Sequence, residues 1–246
     1  MGPVELQPRG AVGPVSATTP ARLLASIARD PTPRLTWYGA GGTRVELSGR
    51  VLLTWVAKTA HLLADEADAE PGSVVAVDLG PDWRAPIFWL AARYLGATVI
   101  GPARPGDAAR RGLRADITVV PEEALLRDGA HGYTPPGGVL VVVGAAAVAT
   151  AVTSPLPPGA VDYGGEVGGQ PDALPAPGPQ EPLGAADPRP GPPGLDVDAP
   201  GRVLRGPGTP VADLVRVWAG GGSVVWHTGL DEAVLARVTA QENVRG

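Results

Sequence analysis

The sequence predicts an α/β fold, a mostly parallel sheet with flanking helices, and three observations carry that prediction. Ser73 to Leu79 is a continuous apolar run of the kind that a parallel sheet buries on both faces. A helical pattern from Trp83 to Leu95 follows it, and then a second apolar run from Ala97 to Ile100. The alternation continues through a strand at Asp116 to Val120, a short helix at Glu122 to Arg127 and a strand at Val139 to Val143, the order that builds parallel sheets through crossover helices.

The other elements follow in chain order. Leu23, Leu24 and Ile27 recur at helical spacing after Pro20, with Thr19 as the cap and Asp30-Pro31 as the stop. Arg34 to Tyr38 and Thr43 to Leu47 are β-favouring runs, and the Gly39-Ala40-Gly41-Gly42 stretch between them makes a hairpin. Ser48 caps the clearest helix of the chain, whose stripe is Val51, Leu52, Trp55, Val56, Thr59, Leu62 and Leu63. That helix ends in the acidic run Asp65 to Glu70 and the Pro71-Gly72 turn. Gly80-Pro81-Asp82 turns the buried strand into its helix, where Pro86 is tolerated because the first turn has no amide partners.

Between Pro171 and Gly194, nine of twenty-four residues are proline. Such a density removes amide donors and forbids helix, so the sequence predicts a linker or surface loop over about 155–200, of which Pro171 to Gly194 is expected to be mobile and dispensable for folding. Beyond it, Arg202 to Leu204 reads as a short strand and Val211 to Trp218 as a helix stopped by Gly220-Gly221-Gly222. Ser223 to Trp226 then reads as a strand, and Leu230 to Val244 as a helix carrying Val234, Leu235 and Val238. Residues 1–19 are expected to be a flexible N-terminus and 20–246 a single domain.

Composition narrows the chemistry. Acidic residues outnumber basic ones by 25 to 20, and Arg110, Arg111 and Arg114, the densest basic group, are flanked by Asp107 and Asp116, so no electrostatic footprint for nucleic acid exists. The absence of cysteine removes disulfides, zinc ribbons and thiol catalysis. Pro3, Glu5 and Pro8 replace a secretory pattern, and no apolar run reaches the ~18 residues of a membrane span, so a soluble, cytoplasmic protein is expected. Lys58 is the only lysine; it lies in a helix far from any glycine-rich loop and is expected to be replaceable on an exposed face.

The segment from Leu35 to Gly101 resembles the opening of the large subdomain in the adenylate-forming superfamily, which includes acyl-CoA synthetases and peptide-synthetase adenylation domains. The resemblance rests on order: Trp37-Tyr38, Val45-Glu46-Leu47, Thr59 to Leu63, Pro71-Gly72-Ser73-Val74-Val75-Ala76, Ala91 to Ala97 and Val99-Ile100-Gly101-Pro102. Trp218 to Val225 and Leu235 to Asn243 are similar to a later strand and helix of the same subdomain. The chain in this respect resembles small AMP-binding-like proteins of high-GC bacteria. What the resemblance implies is tempered by departures. The family's nucleotide loop should fall between Val143 and Val203, where no Thr/Ser-Gly cluster and no lysine occur. Its acidic metal ligand, ribose-binding aspartate and catalytic lysine would lie beyond Gly246. The chain therefore reads as a shortened, degenerate relative with no cofactor.

Candidate site residues are few. Asp78 and Asp82 flank the carboxyl end of a parallel strand, where open α/β sheets place ligands, although Asp82 also fits a capping role. Gly144 follows a strand and could present amides to an anion, but no Lys or Arg lies near it in sequence. His61, His131 and His227 lack paired spacing, so no metal site is expected. Gly39-Ala40-Gly41-Gly42 leads into a strand and Gly220-Gly221-Gly222-Ser223 leads out of a helix, so neither fits a dinucleotide or phosphate loop. Three functions stay open: a non-catalytic binding or partner module, a split ligase completed by another chain, and a small-ligand carrier. Apolar surface left uncovered by a shortened chain would favour a homodimer or a protein partner, with Trp218, Trp226 and the helix from Leu230 to Val244 near the contact.

Overall fold

The computed structural model describes residues 18–101, 114–128, 138–146, 151–183 and 201–244. The basic group at Arg110 and Arg111, His131, the stretch from 184 to 200 and nearly all of the expected flexible N-terminus lie outside these residues. The described chain runs α1 (Pro20–Ile27), β1 (Pro33–Tyr38), β2 (Arg44–Ser48), α2 (Gly49–Asp65), β3 (Val74–Val77), α3 (Ala85–Tyr94), β4 (Thr98–Ile100), β5 (Ile117–Pro121), α4 (Glu122–Asp128) and β6 (Val139–Val143). It continues with β7 (Val161–Asp162), α5 (Tyr163–Val167), β8 (Arg202–Arg205), α6 (Val211–Ala219), β9 (Ser223–His227) and α7 (Glu232–Gln241).

The predicted, mostly parallel architecture is present, divided over two sheets. A five-stranded sheet in the order β4-β3-β5-β6-β7 is parallel throughout. A four-stranded sheet in the order β2-β1-β9-β8 holds the antiparallel hairpin and the parallel pairs β1/β9 and β8/β9. The helices α1, α2, α3 and α6 form a layer that packs against both sheets. On β5 and β6, Ile117, Val119, Val141 and Val143 face this layer, while Val120, Leu140 and Val142 face Ala124 and Leu125 of α4. That two-residue alternation between two apolar surfaces explains why these strands read as unbroken hydrophobic runs. Across the other sheet, Val224 and Trp226 face the helical layer and Val225 faces Val238 of α7.

Local signals act where the sequence places them. The Thr19, Ser48 and Asp231 side chains accept the amides of Arg22, Val51 and Val234, capping α1, α2 and α7. In the hairpin turn Gly41 and Gly42 adopt φ of 68° and 80°, which side-chain-bearing residues seldom do. The predicted helix at Trp83 begins instead at Ala85, because Gly80 to Arg84 form a turn in which the Asp82 carboxylate accepts the Arg84 amide.

Three expectations are corrected. The first is the mobile proline tract: over 171–183 it is a strap fastened across α2, α3 and α1. Tyr94 donates its hydroxyl to the Pro175 carbonyl, and Gln180 donates to the Tyr94 carbonyl while accepting the Ala21 amide. The Leu183 side chain is buried and its amide donates to the Thr18 carbonyl. At Gly178 a Cβ would stand 2.0 Å from the Leu95 carbonyl oxygen, so the strap lies directly on the backbone at the end of α3. Prolines lack donors but keep carbonyls, and it is carbonyls that the neighbouring side chains use.

The second correction concerns Lys58, which is not a free surface residue. Its ammonium donates to the carbonyls of Gly168 and Gln170 and pairs with Asp172 at 3.0 Å. His61, one turn on, contacts the Ala173 carbonyl at 3.1 Å. The third concerns the uncovered apolar surface. Among the described large hydrophobic residues only Val51, at 42%, is exposed, and Trp218 and Trp226 are interior. Trp218 donates to the Arg34 carbonyl and Trp226 to that of Gly206, so the two tryptophans nominated for a contact face the core.

Lys58→Met keeps the apolar stem and removes the donors. It is expected to lower the unfolding free energy by about 1–3 kcal/mol, the worth of charged hydrogen bonds, in urea melts. It should also speed proteolytic cleavage between 168 and 175. A loss below about 0.5 kcal/mol would show that water replaces the bonds without cost.

Candidate functional site

The carboxyl ends of parallel strands gather loops at one edge of a sheet, and there the chain collects its polar side chains. In the five-stranded sheet, Asp78 follows β3 and its amide donates to the Val119 carbonyl, extending the ladder by one residue. Four residues later, Asp82 meets Arg84. The guanidinium grips both carboxylate oxygens, Nε to Oδ1 at 2.8 Å and Nη2 to Oδ2 at 2.7 Å. Its Nη1 donates to the Gly144 carbonyl at 3.0 Å, at the end of β6. Arg84 thus brings two of the three candidates, Asp82 and Gly144, into one assembly. The expectation that no arginine lies near Gly144 is corrected: sixty residues of sequence hide the contact. The group that Arg84 meets at Gly144 is the carbonyl.

The next amide serves an anion of the chain's own. Ala145 donates to Oε2 of Glu122 at 3.3 Å, and Thr153 and Ser154 donate their amides to Oε1 at 2.9 and 2.6 Å. Glu122 is 3% exposed. Hydrogen bonding from Ser154, then from Thr153, and from the backbone holds its carboxyl down to about 2, against the opposing effect of burial. Sequence reasoning missed both Arg84 and Glu122. The available signals were an arginine at the start of a helix, where the dipole disfavours a cation, and a glutamate opening a helix straight after a strand.

A second polar group lies at the carboxyl ends of β8 and β9 in the other sheet. The His227 Nδ1 accepts the amides of Gly229 and Leu230 at 3.2 and 3.3 Å, which places the ring proton on Nε2. Gly206, opposite this nitrogen, has no side chain, and a Cβ there would stand 3.7 Å from it. Asp213, in the first turn of α6 and 2% exposed, receives the Arg216 guanidinium on Oδ1 at 2.6 Å. Its Oδ2 is buried without a partner, as is Nε of Arg205 at the end of β8. Desolvation holds the Arg205 guanidinium below its ordinary value, opposed by the Asp213 charge. Among the described residues no group of three His, Cys, Asp or Glu side chains is arranged to hold a metal ion, and no helix is long and apolar enough to cross a membrane.

Solved structures with the same arrangement of sheets and helices decide what this architecture is. An acyl-CoA synthetase of Brucella canis matches 92% of the chain with a TM-score of 0.67 at 15% identity. The fold is acyl-CoA synthetase-like. An acetoacetyl-CoA synthetase of Streptomyces lividans matches 90% with a TM-score of 0.64, and an amide bond synthetase of Marinactinospora thermotolerans matches 92% with a TM-score of 0.58. Their identities are 14% and 18%. The chain spans 46%, 41% and 47% of these three proteins, less than half of each acyl-CoA synthetase-like neighbour. A TIGR03089 family protein of Mycobacterium tuberculosis is 39% identical over 99 residues, 37% of this chain and 41% of that protein. No protein-family profile matches the chain.

Two predictions follow from the geometry. Removing the guanidinium with Arg84→Met strands the Asp82 carboxylate and the Gly144 carbonyl, and should cost about 3–5 kcal/mol by urea unfolding, as breaking a buried pair does. Desolvation holds the His227 imidazole below its ordinary value, so the folded ring binds its proton less readily than the unfolded ring. Its stabilisation is complete above about pH 6.5 and is lost as pH falls through the lowered folded value. His227→Asn keeps an acceptor that does not titrate. Urea midpoints of the wild type should fall more steeply than those of the variant from about pH 7 to 5.

Proposed function

We propose that this acyl-CoA synthetase-like chain is a non-catalytic binding module. The observation that carries the reading is the mutual pairing of polar groups described at the carboxyl edge of the five-stranded sheet. The Arg84 guanidinium is taken up by Asp82, Gly144 and Ala146, and the Ala145 amide is taken up by Glu122. Groups that would hold a nucleotide at such an edge are committed to one another. The only lysine is committed as well, to the strap carbonyls of Gly168 and Gln170.

The place for a ligand is the corner of the other sheet. Asp213 Oδ2 accepts, Arg205 Nε donates, and His227 Nε2 donates toward the bare backbone at Gly206. Such a set suits a small polar molecule carrying a hydroxyl or amine next to a carboxylate or carbonyl. A second reading draws on length. Because the chain spans 41–47% of its structural neighbours, an AMP-forming ligase completed by another polypeptide is the alternative.

The purified chain is expected to give carboxylate-dependent ATP–pyrophosphate exchange no faster than a no-enzyme control across short-chain, aromatic and amino acids. Exchange above control, abolished by Lys58→Ala in protein shown to be folded, would overturn the non-catalytic reading and leave the ligase.

A further inference from the structure

The hydrogen bonds around Glu122 resemble those that proteins make to a bound ion. Thr153 and Ser154 present consecutive amides to one oxygen, at 2.9 and 2.6 Å, and the Thr153 hydroxyl adds a third donor to the same oxygen at 2.7 Å. Ala145 serves the other oxygen from a separate piece of the loop. Successive backbone N–H groups converging on one point form an anion-binding nest, which needs no cation to work. The leading causes of the lowered Glu122 pKa are hydrogen bonds from Ser154, Thr153 and the backbone. The position adds weight. Glu122 follows β5 and Ala145 follows β6, so the nest sits between the carboxyl ends of neighbouring parallel strands, where open α/β sheets take up ligands.

We propose that the amides of Ala145, Thr153 and Ser154, with the Thr153 hydroxyl, form an anion site sized for one carboxylate, which Glu122 fills from within the chain. The site is closed to free ligands by a tethered ligand of its own. Replacing Glu122 with a smaller residue opens it to a free carboxylate. The inference rests on this geometry and stands whether or not the chain is catalytic.

The test uses the full chain and thermal unfolding in sodium formate, with sodium chloride at equal ionic strength as reference. Glu122→Ala is expected to melt well below the wild type and to regain several degrees in formate along a saturating curve. The wild type should gain no more in formate than in chloride. Glu122→Gln keeps the nest filled with an uncharged side chain and should show no formate-specific gain. Parallel responses of Glu122→Ala and wild type would overturn the proposal, as would an equal gain in Glu122→Ala and Glu122→Gln. If Glu122→Ala does not fold unaided, refolding yield replaces melting: recovery in formate but not chloride supports the site, and failure in both overturns it.

Discussion

A helix with no exposed face has to be enclosed on every side, and α3 is such a helix: all ten of its residues are buried. Its hydrophobic surface is the constraint around which the rest of the chain is arranged. β3 and β4 lie beneath it, α1, α2 and α6 stand around it, and the strap passes over its C-terminal end. The end of a helix leaves carbonyls without intrahelical partners, and in water-excluded surroundings such groups must be satisfied. Here the Gly178 amide and the Gln180 side chain both donate to the Tyr94 carbonyl. The strap is therefore the cap of α3 as well as its cover, which accounts for a proline-rich segment lying in fixed register with a helix. The fastening at Lys58 belongs to the same arrangement, since it holds the start of the strap against α2.

Buried charges are compensated in three different ways. Asp82 is neutralised by a bidentate arginine, which grips two oxygens at once and so fixes orientation as well as charge. Glu242 receives the Tyr38 hydroxyl together with Arg44 and Arg202, and thereby pins the end of α7 to β1, β2 and β8. Glu122 is held by three backbone amides and a threonine hydroxyl. Each solution joins elements distant in sequence, and each would leave an expensive orphan if one partner were removed. At the polar corner, Asp213 Oδ2 and Arg205 Nε are both buried without a hydrogen-bond partner.

Much of this architecture was legible in the sequence, for local reasons. The α2 stripe at three- and four-residue spacing, with Ser48 ahead of it, marks a helix wherever it occurs, and the apolar runs at β3 and β6 mark strands covered on both faces. The order of elements from Leu35 to Gly101 carried the resemblance that the solved structures bear out at the level of fold. What could not be read depends on partners far along the chain. Nothing near β1 announces that it pairs with β9 and so founds a second sheet. The strap was misjudged because composition reports what prolines cannot donate and is silent on what their carbonyls accept. Arg84 and Glu122 were missed for the same reason, since their roles are set by loops 23 to 62 residues away.

The pairing of β1 with β9 also orders events in time. Leu35 lies beside Val224, a separation of 189 residues (224 − 35), whereas the five-stranded sheet is assembled entirely between residues 74 and 162. A chain emerging from the ribosome can complete the five-stranded sheet while the four-stranded one still consists of a lone hairpin, which is marginally stable in water without a covering surface. That hairpin carries Trp37, and its indole donates to the Pro81 carbonyl on the loop after β3. The early sheet thus offers the hairpin a place to dock before its own neighbours exist. β9 then joins a sheet whose other edge was laid down long before it, and the loop-closure entropy of that separation falls on the pairing of β1 with β9.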